Sequence, residues 1–198
     1  MREEMDEMLE REGSRAWIRL LLLFLLLAVG FIMSLAVGRY YIPVSEIFTA
    51  FTGGQVPDKT GQVLMVVRLP RVLAAVLVGG AMSVSGTAYQ GMFKNPLVSP
   101  DILGSSAGAG FGAALAILLS FGVAGTKGAA FFFGLFAVFI TWLISHRFGK
   151  GDDSLFLLIL GGIIVSNLFQ SLISLVKYAA DPTDKLPAIT FWLMGSLS

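Results

Sequence analysis

Asn167, Gln170, Ser171 and Ser174 recur at i, i+3, i+4 and i+7 inside Ser154–Val176, a run with no Asp, Glu, Lys or Arg. On a helix that spacing gathers the four side chains into one stripe. Polar groups are costly against lipid, so the stripe faces protein or water, either lining an aqueous path or hydrogen-bonding a neighbouring helix. Gln90 poses the same two alternatives. Arg68 and Arg71, on either side of Leu69-Pro70, are the other chemically notable pair. With no Cys and a single His, disulfides, iron–sulfur clusters, thiolate metal sites and histidine clusters are all excluded, so neither a metal ligand set nor a cofactor is expected. Gly125-Thr126-Lys127-Gly128 looks like the tail of a phosphate-binding loop but has Gly where the magnesium-binding hydroxyl belongs. No catalytic residue is expected, and the chain reads as a non-enzyme.

The elements that must position these residues follow from charge. The chain has 198 residues, 56% hydrophobic and 14% charged, where a soluble domain carries roughly 25% charged. Five stretches lack any charge: Leu20–Gly38, Val72–Phe93, Ile102–Thr126, Gly128–Ser145 and Ser154–Val176. A hydrocarbon core of about 30 Å needs about 20 apolar helical residues, so each is long enough, or nearly so, to cross once. A soluble enzyme, a nucleic-acid binder and a disordered tail are excluded, as is a membrane β-barrel, whose strands alternate over about 10 residues. The expected fold is an all-α polytopic membrane protein with spans at about 17–38, 70–93, 102–122, 128–146 and 154–177 and a partial segment at 186–198. No carboxylate or Lys lies inside a span, which removes an internal proton relay. Energy for any active transport must come from another subunit.

Along the chain, residues 1–16 form a charged tail. Met1, Met5, Met8 and Leu9 fall at helical spacing, so residues 2–14 form either an amphipathic surface helix or a solvated tail. Six acids in the first fifteen residues argue against a secretory signal, so the first helix is expected to be retained. Trp17 and Arg19 open the first span and Arg39-Tyr40-Tyr41 close it as interfacial anchors. A small interfacial helix follows Pro43, then a polar loop at 53–58. The second span is expected to open at Arg68-Leu69-Pro70-Arg71, with proline near a helix start where its missing N–H is harmless. The connector Lys94–Asp101 holds two prolines and cannot be continuous helix.

Two spans carry small residues in i, i+4 rows: Ala75, Gly79, Ser83, Thr87, Gly91, and Gly104, Gly108, Gly112, Ala116, Ser120. Such rows let helix backbones touch where lipid provides no hydrophobic drive, which places both helices inside a bundle. These positions serve either close packing or a substrate-lining role. Lys and Arg divide seven to seven between the two sides of the membrane, so charge does not orient the chain.

Arg68-Leu69-Pro70-Arg71, Gly80–Gln90, Asn95-Pro96-Leu97, Pro100-Asp101-Ile102-Leu103-Gly104, Ser106–Ala109 and Phe191–Leu197, in this order, resemble the FecCD family. These are the permeases of ABC importers for ferric siderophores, haem and cobalamin. The resemblance runs from about Pro43 to the last residue. It implies a ten-helix permease of which this chain is the N-terminal part, in the plasma (inner) membrane of a prokaryote with a cytoplasmic N-terminus. It also implies cytoplasmic ATPase subunits, an extracytoplasmic substrate-binding protein and a second permease copy as partners, with no nucleic acid. Arg68 and Arg71 are similar to arginines that meet acidic residues on the binding protein, a charge-assisted pairing for which guanidinium is suited; snorkelling or helix capping is the alternative. By the same carry-over Asn95-Pro96-Leu97 lies on the cytoplasmic side, and the second, third and fifth helices approach the translocation path. The alternatives are an oxyanion as cargo, a non-transporting scaffold protein, and a channel or secondary carrier.

Overall fold

The computed structural model describes residues 2–96, 98–149 and 153–195, with side chains described from Ala16 and, after the second gap, from Leu155. Leu97, the side chains of the first turns and the end of the partial segment lie outside that description. Every regular element among the described residues is helical: α1 (Arg2–Ala36), α2 (Val44–Phe51), α3 (Asp58–Gln62), a π-helical turn (Val63–Arg68), α4 (Leu69–Phe93), α5 (Ser105–Leu118), α6 (Gly122–Phe148), α7 (Asp153–Ala179) and α8 (Lys185–Leu193). Four stretches are long and apolar enough to cross a membrane: Ala16–Ala36, Asp58–Phe93, Gly122–Phe148 and Leu155–Ala179.

Three of the five expected spans differ in extent from the sequence reading. The second starts well before Arg68: Pro57 stands at the N-cap and Asp58 in the first turn, where a carboxylate suits the positive helix end. Helix then continues through Pro70 because the π-helical turn precedes it, with the Leu69 N–H donating five residues back to the Leu64 carbonyl. That wider turn accommodates a residue with no N–H to give and a ring that crowds the carbonyl four residues before it. The third is helical over only 14 residues. At about 1.5 Å per residue it falls short of a bilayer core, and it survives by burial among its neighbours rather than by length. The fourth starts at Gly122 rather than at 128 and runs to Phe148, so Lys127, expected in a link outside the spans, lies inside this helix.

The chain divides into two compact units, up to Val78 and from Gly79. In the first, Leu35, Ala36, Ile42, Ile47 and Leu64 form a buried cluster that ties the end of α1 to α2 and the π-helical turn. Tyr40 and Thr60 hydroxyls pair at 3.1 Å, and Thr60 also donates to Glu46 Oε2 at 3.2 Å. In the second unit α5 is the hub, packed on α6, α7 and α8. Ala107, Ala137, Val165 and Phe169 form one cluster and Ala114, Val176, Ala180 and Ile189 another.

Candidate functional site

The first unit presents a cationic cleft. α1 ends at Ala36, and its last carbonyls carry the negative end of the helix dipole; Met33 accepts from the Val37 N–H at 2.8 Å and Ala36 from the Ile42 N–H at 3.1 Å, which leaves acceptor capacity in this turn to be filled from outside the helix. Arg68 meets that need: its Nη1 donates to the Leu35 carbonyl and, at 3.1 Å, to the Ala36 carbonyl, and its Nη2 donates to the Tyr40 carbonyl. Gly38 leaves the room, since a Cβ there would lie 3.1 Å from Arg68 Cζ. Arg71 is exposed and makes no hydrogen bond or ion pair to a described residue. Both arginines, with Arg39, Gly38, Tyr40 and Val67, line a cleft of about 560 Å³. The Lys59 ammonium sits 5.1 Å from the centre of the Tyr40 ring in the same unit.

In the second unit the connector into α5 is a capping device. Asp101 Oδ1 accepts from the Ser106 N–H at 2.9 Å and from the Ser105 hydroxyl at 3.4 Å. Gly104 adopts φ +80, and a Cβ there would sit 2.9 Å from Ser166 Oγ on α7. Thr141 of α6 donates to the buried Leu103 carbonyl at 3.0 Å. Gln90 Nε2 donates to the Pro96 carbonyl at 3.2 Å, so it latches the end of α4 to the connector. Asn95 N–H donates to the Gln90 carbonyl at 3.2 Å.

The α5 row is filled. Gly104, Gly108, Gly112 and Ala116 are buried and only Ser120 is exposed. A Cβ on Gly108 would collide with the Phe133 carbonyl and lie 2.6 Å from Ala137 Cβ; one on Gly112 would collide with the Ala129 carbonyl and lie 2.9 Å from Phe133 Cβ. The backbones of α5 and α6 touch through these glycines. The α4 row is open. Ala75, Gly79, Ser83, Thr87 and Gly91 are all exposed, and nothing approaches within 4 Å of a Cβ on Gly79 or Gly91. The inside position expected for both helices therefore holds for α5, while the α4 row is uncovered among the described residues.

The α7 stripe is exposed throughout. Its hydroxyls bond back along their own helix, Ser171 to the Asn167 carbonyl at 2.9 Å and Ser174 to the Gln170 carbonyl at 3.0 Å. Ser83 and Thr87 on α4 do the same, each to the carbonyl four residues earlier. Back-bonded hydroxyls tolerate an apolar neighbour. The Asn167 and Gln170 amides differ: neither side chain bonds a described residue, although both lie well inside a helix long enough to span.

A helical chain with several long apolar spans, a glycine-mediated helix contact and a cationic cleft is a polytopic membrane protein. It belongs to the FecCD transport family, whose profile matches residues 26–198. It is 41% identical over 180 residues to the molybdate import system permease protein of Haemophilus influenzae, covering 89% of this chain and 53% of that protein. It is 37% identical over 191 residues to the vitamin B12 import system permease protein of Klebsiella pneumoniae, covering 94% of this chain and 53% of that protein. A solved structure described as a metal-chelate type ABC transporter in an inward-facing conformation superposes with a TM-score of 0.75 at 40% identity, over 88% of this chain and 52% of that one. The chain thus spans about half the length of the relatives it matches. Relatives of this kind are permease subunits rather than enzymes.

Gly38 and Arg39 were not legible as site residues, because the fold alone brings Gly38 against Arg68 and Arg39 to the same cleft. A Gly immediately after the last turn of a long helix is the one local signal.

Proposed function

We propose that the chain is the N-terminal portion of a permease that moves a metal-containing cargo into the cytoplasm of a prokaryote, driven by ATP hydrolysis in separate subunits. The observation that carries this reading is the family match across residues 26–198. The N-terminus lies in the cytoplasm in this reading, the Asn95-Pro96-Leu97 connector shares that side, and the arginine cleft faces an extracytoplasmic binding protein. The α7 stripe, with Asn167 and Gln170 free to bond outward, lines the path, and the open α4 row is covered by parts of the permease beyond this chain or by a second copy. The cargo is a chelate, an iron complex or a cobalamin-like one, or a compact oxyanion; the relatives' named cargoes of molybdate and vitamin B12 favour keeping both classes. Small residues and back-bonded hydroxyls meet a large cargo by shape and hold no code that selects one.

The test is uptake into proteoliposomes holding the full-length permease with its ATPase, using labelled molybdate, cobalamin and a ferric siderophore in turn. The expected result is accumulation of one class that requires both ATP and the binding protein. Accumulation without either, or of none, contradicts the reading.

A further inference from the structure

We propose that Lys127 and Lys185 form a binding site for a phosphate-type oxyanion, carried by the headgroup of an anionic phospholipid or met as a free ion. Such a site needs only a chain embedded in a membrane, whatever the permease carries.

The two lysines reach one cavity from different elements, Lys127 from the second turn of α6 and Lys185 from the first residue of α8. That cavity has a volume of about 520 Å³ and is also lined by Ser120, Ile117, Val123 and Trp192; its lining holds two cations and no acid. Lys127 is exposed, lies within a helix long and apolar enough to span, and makes no hydrogen bond or ion pair to a described residue. An ammonium in apolar surroundings is costly until an anion meets it. Lys185 is held but not neutralised. Its Nζ donates to the Ser120 hydroxyl at 2.6 Å and lies 4.0 Å from Asp184 Oδ2, on a side chain that is 79% exposed. An exposed pair at that distance is weak, and the Asp181 carboxylate in the same turn is already engaged by Thr183 and the Asp184 N–H.

Ser120 is a positioning residue for Lys185. α5 ends in a paired turn, in which the Ser120 N–H donates to the Ile117 carbonyl at 3.1 Å and the Phe121 N–H to the Ala116 carbonyl at 2.9 Å, and Ser120 sits at φ +61. Glycine is the residue that this left-handed position favours, so a side chain there is strained. A hydroxyl takes the place nonetheless and accepts from Lys185, while its own proton goes to no described residue. The Thr126 hydroxyl, also in the lining, is spent on the Gly122 carbonyl at 2.8 Å. What the lining offers a ligand is therefore donors: two ammonium groups, the Ser120 hydroxyl and the Trp192 indole N–H. Donors around net positive charge match a ligand with several acceptor oxygens and a negative charge, for which lysine is a regular partner. Basic pockets between membrane helices take phospholipid headgroups, and Ile117, Val123 and Trp192 supply apolar walls for the rest of such a molecule.

The experiment uses the full-length permease with its ATPase saturated by ADP, purified in detergent. In one arm, native mass spectrometry counts the phosphatidylglycerol and phosphatidylcholine retained from micelles holding both. In the other, equilibrium dialysis of lipid-stripped protein measures labelled phosphate and molybdate. Preferential, saturable retention of phosphatidylglycerol is the result expected for a headgroup site, and saturable binding of either ion the result expected for a free-ion site. In the arm that binds, K127Q and K185Q are each expected to weaken binding about fivefold, and the double variant by about the product of the two. K127R keeps the charge and is expected to stay within about twofold of wild type. S120G relieves the left-handed strain, so the unfolding midpoint is expected to hold or rise while binding weakens about threefold as Lys185 loses its anchor. Should K185Q fail to fold, K127Q and S120G carry the test. The site is overturned if neither arm binds, or if binding in the double variant, or in K127Q and S120G where only those fold, stays within about twofold of wild type.

Discussion

Two rows of small residues with the same spacing meet opposite fates. On α5, Gly104, Gly108, Gly112 and Ala116 are buried, with Gly108 and Gly112 against the α6 backbone, while on α4 Ala75, Gly79, Ser83, Thr87 and Gly91 stand uncovered. The pattern alone states that a close contact is possible, not with what. On α5 the contact is made within the chain, and the helix depends on it because 14 residues cannot span a bilayer core unaided. On α4 the length suffices, the hydroxyls are satisfied along their own helix, and the row costs this chain nothing while it remains open. The filled row is scaffold, while the open row and the α7 stripe are uncovered among the described residues, and in the function proposed above they are the surfaces on which the rest of a permease is built.

The largest test of that contrast is Gly108→Leu. It forces α5 away from the α6 backbone and is expected to cost about 3 kcal/mol or more, read as a loss of folded protein in detergent unfolding. Gly79→Leu on the open row is expected to leave unfolding of this chain within about 0.5 kcal/mol, yet to reduce assembly of the full-length permease in a size-exclusion assay. Equal destabilisation by the two would erase the distinction. Thr141→Val leaves the buried Leu103 carbonyl without its donor and is expected to cost about 1–2 kcal/mol, a loss confined to the α5–α6 contact. Asp101→Ala, which removes the side-chain acceptor of the Ser106 N–H in the first turn of α5, is expected to cost about 1 kcal/mol in the same assay.

The smallest effect concerns pH. The Asp181 carboxyl, in the turn between α7 and α8, is held below its ordinary value by the Thr183 hydroxyl, then by the Thr183 and Asp184 N–H groups. A lowered folded pKa means that its contribution to the turn is present above the unfolded value and is lost as pH falls through the folded one. Carbon-detected NMR of Asp181 is expected to titrate at lower pH than a free aspartate, and Thr183→Ala to move it back up.

Much of this architecture was legible because membrane spans announce themselves by what they lack. Charge-free runs located all five apolar helices, and the two prolines of Lys94–Asp101 marked the break between the second and third of them. The parts that were not legible are those that depend on contacts between distant residues. Arg68 caps a helix that ended some thirty residues earlier, and nothing local to it distinguishes that role from docking. The early start at Asp58 was hidden because Pro70 looks like a helix start until a π-helical turn precedes it. Which small row is filled depends on α6, whose own sequence around Ala129 and Phe133 carries no mark of the contact.

The most direct measurement of whether function resides on the open faces is cysteine labelling, for which these 198 residues supply a background free of Cys. Single cysteines at Ser171 and Ser174, on the polar stripe, are compared with cysteines at Leu168 and Leu175, exposed apolar positions on the same helix, in the full-length permease in membranes. Labelling by a water-soluble maleimide at 171 and 174 but not at 168 and 175 is the predicted result. Silence at 171 and 174, or equal labelling at all four, would contradict an aqueous path along α7.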